Sequence, residues 1–470
     1  MRRELVTGAF ALLATACASG PDYETPPLPT AGDWTAGAAA ASRDALPDAA
    51  WWRALGTPQL DALIERALAD NRDRRAATSR IQQARAAAGL AAAPLWPQLD
   101  ATGSATRTRT TESTPSPVRG VHYNTFSLGF DASWELDLFG RISRLAEAGD
   151  AEVQLAAADA DALTLSLVAE VVVAYADLVG ATQRREFAMA SVRTAEDLVA
   201  VNTARVRGGL GNELEIASAE RLLAAARSRL PQQERDWHLA ANRLAVLVGD
   251  TPDHLVAQLR DAATLQPVPD VVALGLPADL VRRRPDVRAA DAAMHAATAR
   301  LGAALADRWP RLSLTGFFGV QADDASDLFE SGSRALSGGP AVRLPLFRGG
   351  SVAEQIAVEE AGIEVRRNEL EQTVLRAFEE VENAAHALQQ ERVRREQLRV
   401  AVDAAERERQ LAQQRFTAGL DDFTAVLNAE QSRLDLADQF AGSDTELVRQ
   451  FAALQKALGG AVPPAPAAGG

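Results

Sequence analysis

Apolar and polar residues alternate from Thr125 to Leu138, which is typical of a β-strand with one apolar face. The apolar positions are Phe126, Leu128, Phe130, Ala132, Trp134, Leu136 and Leu138. The same pattern recurs at Leu312, Leu314, Phe318 and Val320, although Gly316 and Phe317 interrupt it. Polar turns at Glu112 to Gly120 and Ala322 to Gly332 separate each stretch from a partner. The pattern predicts four strands, near 99–110, 124–138, 311–321 and 336–347.

Two very long helical regions follow the strand pairs, at about Ile142 to Val206 and Val352 to Thr417. Both lack proline, and apolar residues recur at spacings of three and four. At 1.5 Å per residue, roughly 65 residues extend about 100 Å, so each helix must pack against partners. Each region ends at a Gly-Leu pair, Gly209-Leu210 or Gly419-Leu420, which predicts a capped turn into an antiparallel helix.

The chain repeats itself at a spacing of about 210 residues. The stretch from Arg205 to Glu220 aligns without gaps on Arg415 to Glu430, with the Arg, Gly-Leu and Ala-Glu positions in common. Trp96-Pro97 likewise matches Trp309-Pro310. Each copy has the order short helix, strand pair, long helix and returning helix. The molecule is therefore two copies of one design.

The predicted strands pose a geometrical problem, because four strands cannot close a barrel and an open apolar sheet exposes its edges. Sharing strands among subunits removes the edges. Three copies would supply twelve strands and twelve helical rods. This combination suits a tube with a lipid-facing band joined to a long soluble cylinder.

Charge and cysteine content narrow the function. The 49 Lys and Arg residues against 63 Asp and Glu residues give a net charge of −14, which disfavours a nucleic-acid surface. The single cysteine, Cys17, excludes an intrachain disulfide. It follows a basic start, an apolar run and two small residues, which is a signal-peptide pattern. We expect a lipid on this thiol; the alternative is an unlipidated secretory signal with an incidental cysteine.

These boundaries define the expected domain organisation. We assign 1–16 to a signal peptide, 17–58 to a lipidated extended segment, 59–260 to the first repeat, 261–276 to a linker, 277–460 to the second repeat and 461–470 to a disordered tail. The first repeat has long helices near 141–207 and 212–249, and the second near 351–417 and 421–459. The short helices are expected from Gln59 to Ala93 and from Ala278 to Asp307.

No enzyme or metal constellation emerges from the sequence. The five histidines are scattered, and no pair has the spacing of metal ligands. The paired acids Glu359-Glu360 and Glu379-Glu380 lie on a long helix, where solvated or salt-bridged faces are the more common outcome. The glycines at Gly208-Gly209 end a helix and do not follow a strand, so they predict no phosphate-binding loop. We therefore expect no catalytic residues and no cofactor beyond the lipid.

Five ordered motifs and the duplication resemble the outer membrane factor family, the TolC-type exit ducts, in its lipoprotein branch of multidrug efflux. The motifs are Gly20-Pro21-Asp22-Tyr23, the stretch Trp134 to Arg141, the stretch Leu276 to Arg288, Trp309-Pro310 and the two Gly-Leu turns. The resemblance implies an α+β membrane protein: a homotrimer whose twelve-stranded β-barrel continues into a periplasmic α-helical coiled-coil barrel. It also implies an outer membrane location, a periplasmic adaptor and an inner-membrane transporter as partners, and passive conduction of drugs or toxic compounds.

The resemblance carries over to particular residues. Adaptor-docking tips are expected at two sets of turn residues, Arg205, Gly209 and Leu210, and Arg415, Gly419 and Leu420; the alternative is that each Gly-Leu merely caps its helix. A periplasmic gate is expected at Glu215, with Asp421 and Asp422 as further candidates. Asn428 is a further expected gate residue; relatives commonly place an aspartate at this position, so its amide argues against a strong carboxylate ring there.

Two other functions fit parts of the pattern. A protein-secretion duct would share the architecture, but Cys17 and the Gly-Pro-Asp-Tyr start favour efflux. A non-conducting coiled-coil scaffold of the envelope would need no amphipathic strands. The pattern therefore favours a channel.

Overall fold

The computed structural model describes residues 19–30, 32, 34, 41–42, 50–113, 120–259, 265–274, 281 and 283–460. The expected signal peptide, Cys17 and the expected tail 461–470 lie outside these residues. The chain forms two compact units. The first comprises Met1–Pro27, Arg80–Ala157 and Ala289–Leu370. The second comprises Leu28–Ser79, Ala158–Arg288 and Glu371–Gly470.

A four-stranded antiparallel sheet lies in the first unit, with strands adjacent in the chain also adjacent in space. The strands are β1 (Gln98–Arg109), β2 (His122–Leu136), β3 (Arg311–Ala322) and β4 (Arg334–Arg343). Residues directly opposite each other in a ladder share a face, as Phe130 and Phe318 do. The register therefore gathers the apolar positions on one side, the apolar face, which includes Leu99, Leu128, Phe130, Leu314, Phe318, Leu336 and Val342. The opposite side is the polar face.

The interruption at Gly316 and Phe317 has a packing reason. Phe317 lies on the polar face, and its ring covers Gly129 and Gly319. A Cβ atom added to either glycine would lie 2.7 Å from this ring. The missing side chains thus create the space that a phenylalanine occupies on an otherwise polar surface.

Strands β2 and β4 end two or more residues before their predicted boundaries. β2 ends at Leu136 because Asp137 caps the following helix, accepting hydrogen bonds from the Ile142 N–H at 3.0 Å and the Ser143 N–H at 2.7 Å. β4 ends at Arg343, four residues before the expected 347, because Pro345 has no N–H group to donate to a ladder.

The helices repeat in the two halves of the chain. The first half contains α1 (Pro58–Asp70), α2 (Arg72–Ala92), α3 (Arg141–Arg207) and α4 (Glu213–Leu247), followed by α5 (Pro252–Gln258). The second half contains α6 (Pro285–Ala306), α7 (Ser351–Thr417) and α8 (Phe423–Ala457). Helices α3 and α7 each contain 67 residues, which corresponds to about 100 Å. Pro231 lies inside α4.

The large core of the second unit corrects two expected boundaries. The segment expected to be extended up to residue 58 forms a 3-10 helix, Trp51–Leu55, and both of its tryptophans are buried. The expected linker 261–276 is not a simple connection, since Val268, Val272 and Leu274 are buried in the same core. Two residues of this segment also pair with Ala41–Ser42 in a short parallel ladder. Both segments are integral to the unit.

The short helix expected from Gln59 to Ala93 is interrupted at Asn71, so α1 and α2 are separate. The buried Asn71 amide donates to the Leu247 carbonyl at 2.9 Å, at the end of α4, while its oxygen accepts from the Arg74 N–H. In the second repeat, Arg284 stands 213 residues later and donates to the Ala457 carbonyl at 2.8 Å, at the end of α8. Equivalent positions thus hold the returning helix in both repeats, with an amide in one and a guanidinium in the other.

Candidate functional site

Each long helix ends in the same turn. We define the first tip as Arg205–Asn212 and the second tip as Arg415–Asp422. Gly209 and Gly419 have φ angles of +73° and +71°, which glycine adopts without strain. Their N–H groups donate to Val206 and Phe416 carbonyls, both at 3.0 Å. The following leucine N–H groups donate to the Arg205 and Arg415 carbonyls, completing two Schellman caps.

The returning helices also begin alike. Asn212 accepts a hydrogen bond from the Glu215 N–H at 3.1 Å, and Asp422 accepts one from the Ala425 N–H at 3.2 Å. Between cap and helix, the Leu210 and Leu420 side chains are 71% and 68% exposed. Both tips therefore present an apolar side chain on a rigid, doubly capped turn.

The two tips differ in their charges. Asp421 accepts hydrogen bonds from Arg415 at 2.5 and 3.0 Å, whereas Gly211 occupies the equivalent place in the first tip. The guanidinium of Arg205 lies 4.4 Å from the centroid of the Phe416 ring. The second tip is thus closed by its own ion pair, while the first tip contacts the Phe416 ring near the end of α7.

The ion pair affects the titration of the second tip. The hydrogen bond from Arg415 lowers the pKa of the Asp421 carboxyl. A carboxyl with a lowered pKa contributes its stabilisation above the unfolded-state pKa and loses it as the pH falls through the folded-state value. The ion pair therefore stabilises the second tip at neutral pH, and this contribution is lost at a lower pH than for an unpaired aspartate.

A small core supports the tips. Phe416 and Phe423 lie with ring centroids 5.4 Å apart and are both buried. Beside them, the buried Glu430 accepts a hydrogen bond from Arg433 at 2.7 Å, and Arg433 also lies 3.7 Å from Glu406. The sequence reasoning missed this charge cluster, although the spacing of three between Glu430 and Arg433 on one helix is a detectable signal.

The expected gate residues occupy different environments. Asp421 is paired and Asp422 caps a helix, so neither carboxylate is available without losing a local bond. Glu215 lies beside its cap, 3.4 Å from the Asn212 amide. Asn428 is exposed and has no side-chain hydrogen bond within the part of the chain described. Within the described residues, no hydrogen bond or ion pair links Glu215, the Asp421–Asp422 pair and Asn428 to one another.

The Gly-Pro-Asp-Tyr segment packs against other parts of the first unit. Gly20 has a φ of +87° and packs on the backbone of Gly302, so neither position has room for a side chain. The Tyr23 hydroxyl donates to Asp291 at 2.5 Å, and its ring stacks on His295. Burial, reinforced by the hydrogen bond to Asp291, raises the pKa of the Tyr23 phenol. The motif that suggested the family thus has a structural role.

A buried arginine completes this contact. Arg144 donates to the Ser19 carbonyl at 3.1 Å and to the Asp22 carboxylate at 2.7 Å. On its other side it pairs with Glu147, which also contacts His295. Burial opposes ionisation of Glu147, but hydrogen bonds from His295 and Arg144 lower the pKa of its carboxyl overall. Residues 19–23 are therefore fixed by both charge and shape.

Comparison with known proteins agrees with this geometry. The model of the outer membrane efflux protein family matches residues 63–250 and 276–460. Outer membrane protein OprJ of Pseudomonas aeruginosa is 31% identical, with 96% of this chain and 94% of OprJ aligned. The toluene efflux pump outer membrane protein TtgC of Pseudomonas putida is 30% identical, again over 96% of this chain and 94% of TtgC.

A solved structure extends the comparison to the fold. The outer-membrane channel OprN superposes with a TM-score of 0.90 and 34% identity, covering 95% of this chain and all of OprN. The chain is thus an outer membrane channel with a periplasmic helical domain, and it belongs to the outer membrane efflux protein family.

Proposed function

We propose that three copies of this chain form one exit duct whose sheets close a twelve-stranded barrel. The observation that supports this most directly is the exposed apolar face. Leu99, Phe318 and Leu336 on this face are 68%, 63% and 82% exposed in one protomer. Strands β1 and β4 also leave one edge each without a partner in the sheet. Closure among three sheets pairs the edges and turns the apolar face toward lipid.

The tips are the proposed contact with a periplasmic adaptor. Leu210 and Leu420 are apolar, exposed and held on rigid turns, and such residues bind at little cost in conformational entropy. An inner-membrane transporter supplies the energy, and the chain conducts passively without catalysing a reaction. A lipid on Cys17 anchors the mature chain beside its barrel. The duct uses no cofactor besides this lipid.

Small apolar organic compounds are the proposed cargo. TtgC, whose name identifies toluene efflux, supports this class of compound. The polar face, which carries mainly small, hydroxylated and charged residues together with Phe317, becomes the wall of the conduit. Such a wall offers no narrow specificity pocket, so the partner pump selects the compounds.

Complementation tests this function. In a strain that has a suitable pump and adaptor but lacks its own duct, expression of the chain should restore resistance to organic solvents. The purified trimer should also conduct ions in a planar bilayer. Correctly inserted trimers that neither conduct nor restore resistance would contradict the proposal.

We further propose that Asn428 and Glu215 face the pore at the closed periplasmic end. Asn428→Asp should increase cation selectivity and divalent block in single-channel recordings, because three added carboxylates in a constriction favour cations. Asp422→Asn is the matched control, since asparagine preserves the helix cap, and it should change selectivity less. Identical selectivity in wild type and Asn428→Asp would remove position 428 from the constriction.

A further inference from the structure

The apolar face of the sheet carries positively charged residues near one end of its strands only. In the register of β1 and β2, Arg107 lies opposite Asn124 and Arg109 lies opposite His122. Both arginines share the face of Leu99 and Phe130 because side chains repeat every second residue. Arg334 is also on this face, at the start of β4, but it lies opposite Val320 in the row of Leu128, within the apolar rows.

The other end of the sheet lacks this feature. There the apolar face carries Leu136, Leu312 and Val342. The two arginines at that end, Arg311 and Arg343, are paired with each other in the ladder and lie on the polar face. Positive charge on the proposed lipid-facing surface is therefore confined to the end next to the hairpin turns.

The length of the apolar rows places these charges in the membrane. From Leu136 to Phe126, ten residue steps span about 33 Å along the strand, or about 25 Å of height at a tilt of roughly 40°. This height matches the apolar band of an outer membrane barrel. The strands continue into the periplasmic helices at the Leu136 end, so Arg107 and Arg109 lie just beyond the band, at the headgroups of the outer leaflet.

These side chains are available for a ligand. Arg107, Arg109, His122 and Arg334 are exposed, and none forms an ion pair within the described residues. Thr106 and Thr108, the adjacent residues of β1, lie on the polar face and are uncharged. The acids between β3 and β4, from Asp323 to Glu330, lie in the connecting turn, and none of them pairs with these arginines among the residues that the structure describes.

We propose that Arg107 and Arg109, with His122, bind the phosphate groups of a phosphorylated glycolipid in the outer leaflet. A guanidinium matches phosphate geometry with paired N–H donors, and its long stem lies along apolar surface while the charge reaches the headgroup level. The inference rests on the proposed barrel, which turns the apolar face toward lipid. It adds a specific lipid class and fixes the height of the barrel in the membrane.

Lipid retention by the purified full-length trimer tests the site, with diphosphorylated lipid A as the probe in native mass spectrometry. Arg107→Gln with Arg109→Gln should weaken retention by roughly fivefold for each arginine. Arg107→Lys with Arg109→Lys should restore part of it, because the charge is kept. Arg343→Gln, an exposed arginine on the polar face at the other end, is the matched control and should retain lipid A as wild type does.

Three results would overturn the site: equal retention by the double Gln variant and wild type, equal retention of dephosphorylated lipid A, or displacement of lipid A by an equal concentration of inorganic phosphate. Should the double variant yield no trimers, Arg109→Gln alone gives the same comparison. Bilayer conductance, measured in parallel, separates the two proposals, since a conducting wild type without lipid A preference rejects only the lipid site.

Discussion

Phe130→Arg should abolish detergent-resistant trimers. Phe130 lies in the central rows of the apolar face, is 50% exposed in the protomer and pairs with Ala101 and Phe318. An arginine facing lipid at mid-height costs about 2–4 kcal/mol per strand. Three copies multiply that cost to roughly 6–12 kcal/mol, comparable to the whole stability of many proteins. Trimer yield on semi-native gels of outer membrane fractions measures the effect.

The control is Ser133→Arg, which introduces the same side chain three residues later on β2. Ser133 is exposed on the polar face, opposite Gln98 and Thr315, where the proposed barrel holds water. Trimer yield should stay close to wild type. Equal loss in both variants would mean that the two faces do not differ in environment, and the assignment of lipid and water sides would fail.

Gly419→Pro should eliminate export while leaving the trimer intact. Proline cannot adopt the φ of +71° observed at Gly419, and it removes the N–H group that donates to the Phe416 carbonyl. The second tip would then lose its Schellman cap, the position of Leu420 and the ion pair between Arg415 and Asp421. Solvent resistance in the strain that lacks its own duct should fall to the level of the empty strain.

Gly419→Asn separates the turn from a general effect of substitution. Asparagine tolerates the left-handed conformation better than other residues with a side chain, and it keeps the N–H group. Export should therefore persist in this variant. Wild-type resistance with Gly419→Pro would exclude the second tip from export, and loss of trimers would show damage that is not confined to the tip.

Sequence periodicity predicted most of the helices and strands. Alternation over β2 predicted the apolar face because successive side chains of a strand lie on opposite sides of the sheet. The lack of proline predicted α3 and α7 nearly to the residue. Interactions between distant residues were not predictable. The break at Asn71 depends on a carbonyl 176 residues away, which no local pattern encodes.

The tips were predictable in backbone but not in electrostatics. Glycine followed by leucine at the end of a helix specifies the cap, so Gly209 and Gly419 could be located from spacing alone. The pairing of Asp421 with Arg415 and the stacking of Arg205 on Phe416 require the packing of two hairpins. The carboxylates expected at a gate therefore have structural partners that the sequence did not reveal.

The contact between the amino-terminal segment and α6 constrains the order of biogenesis. Tyr23 is synthesised early, yet its partner Asp291 follows 268 residues later. Gly20 likewise can pack on Gly302 only after Gly302 has crossed the inner membrane. The segment with Gly20 and Tyr23 therefore lacks its packing and hydrogen-bond partners until α6 has crossed the inner membrane. Its docking is a late step. Closure of this contact would therefore report that α6 has reached its native position.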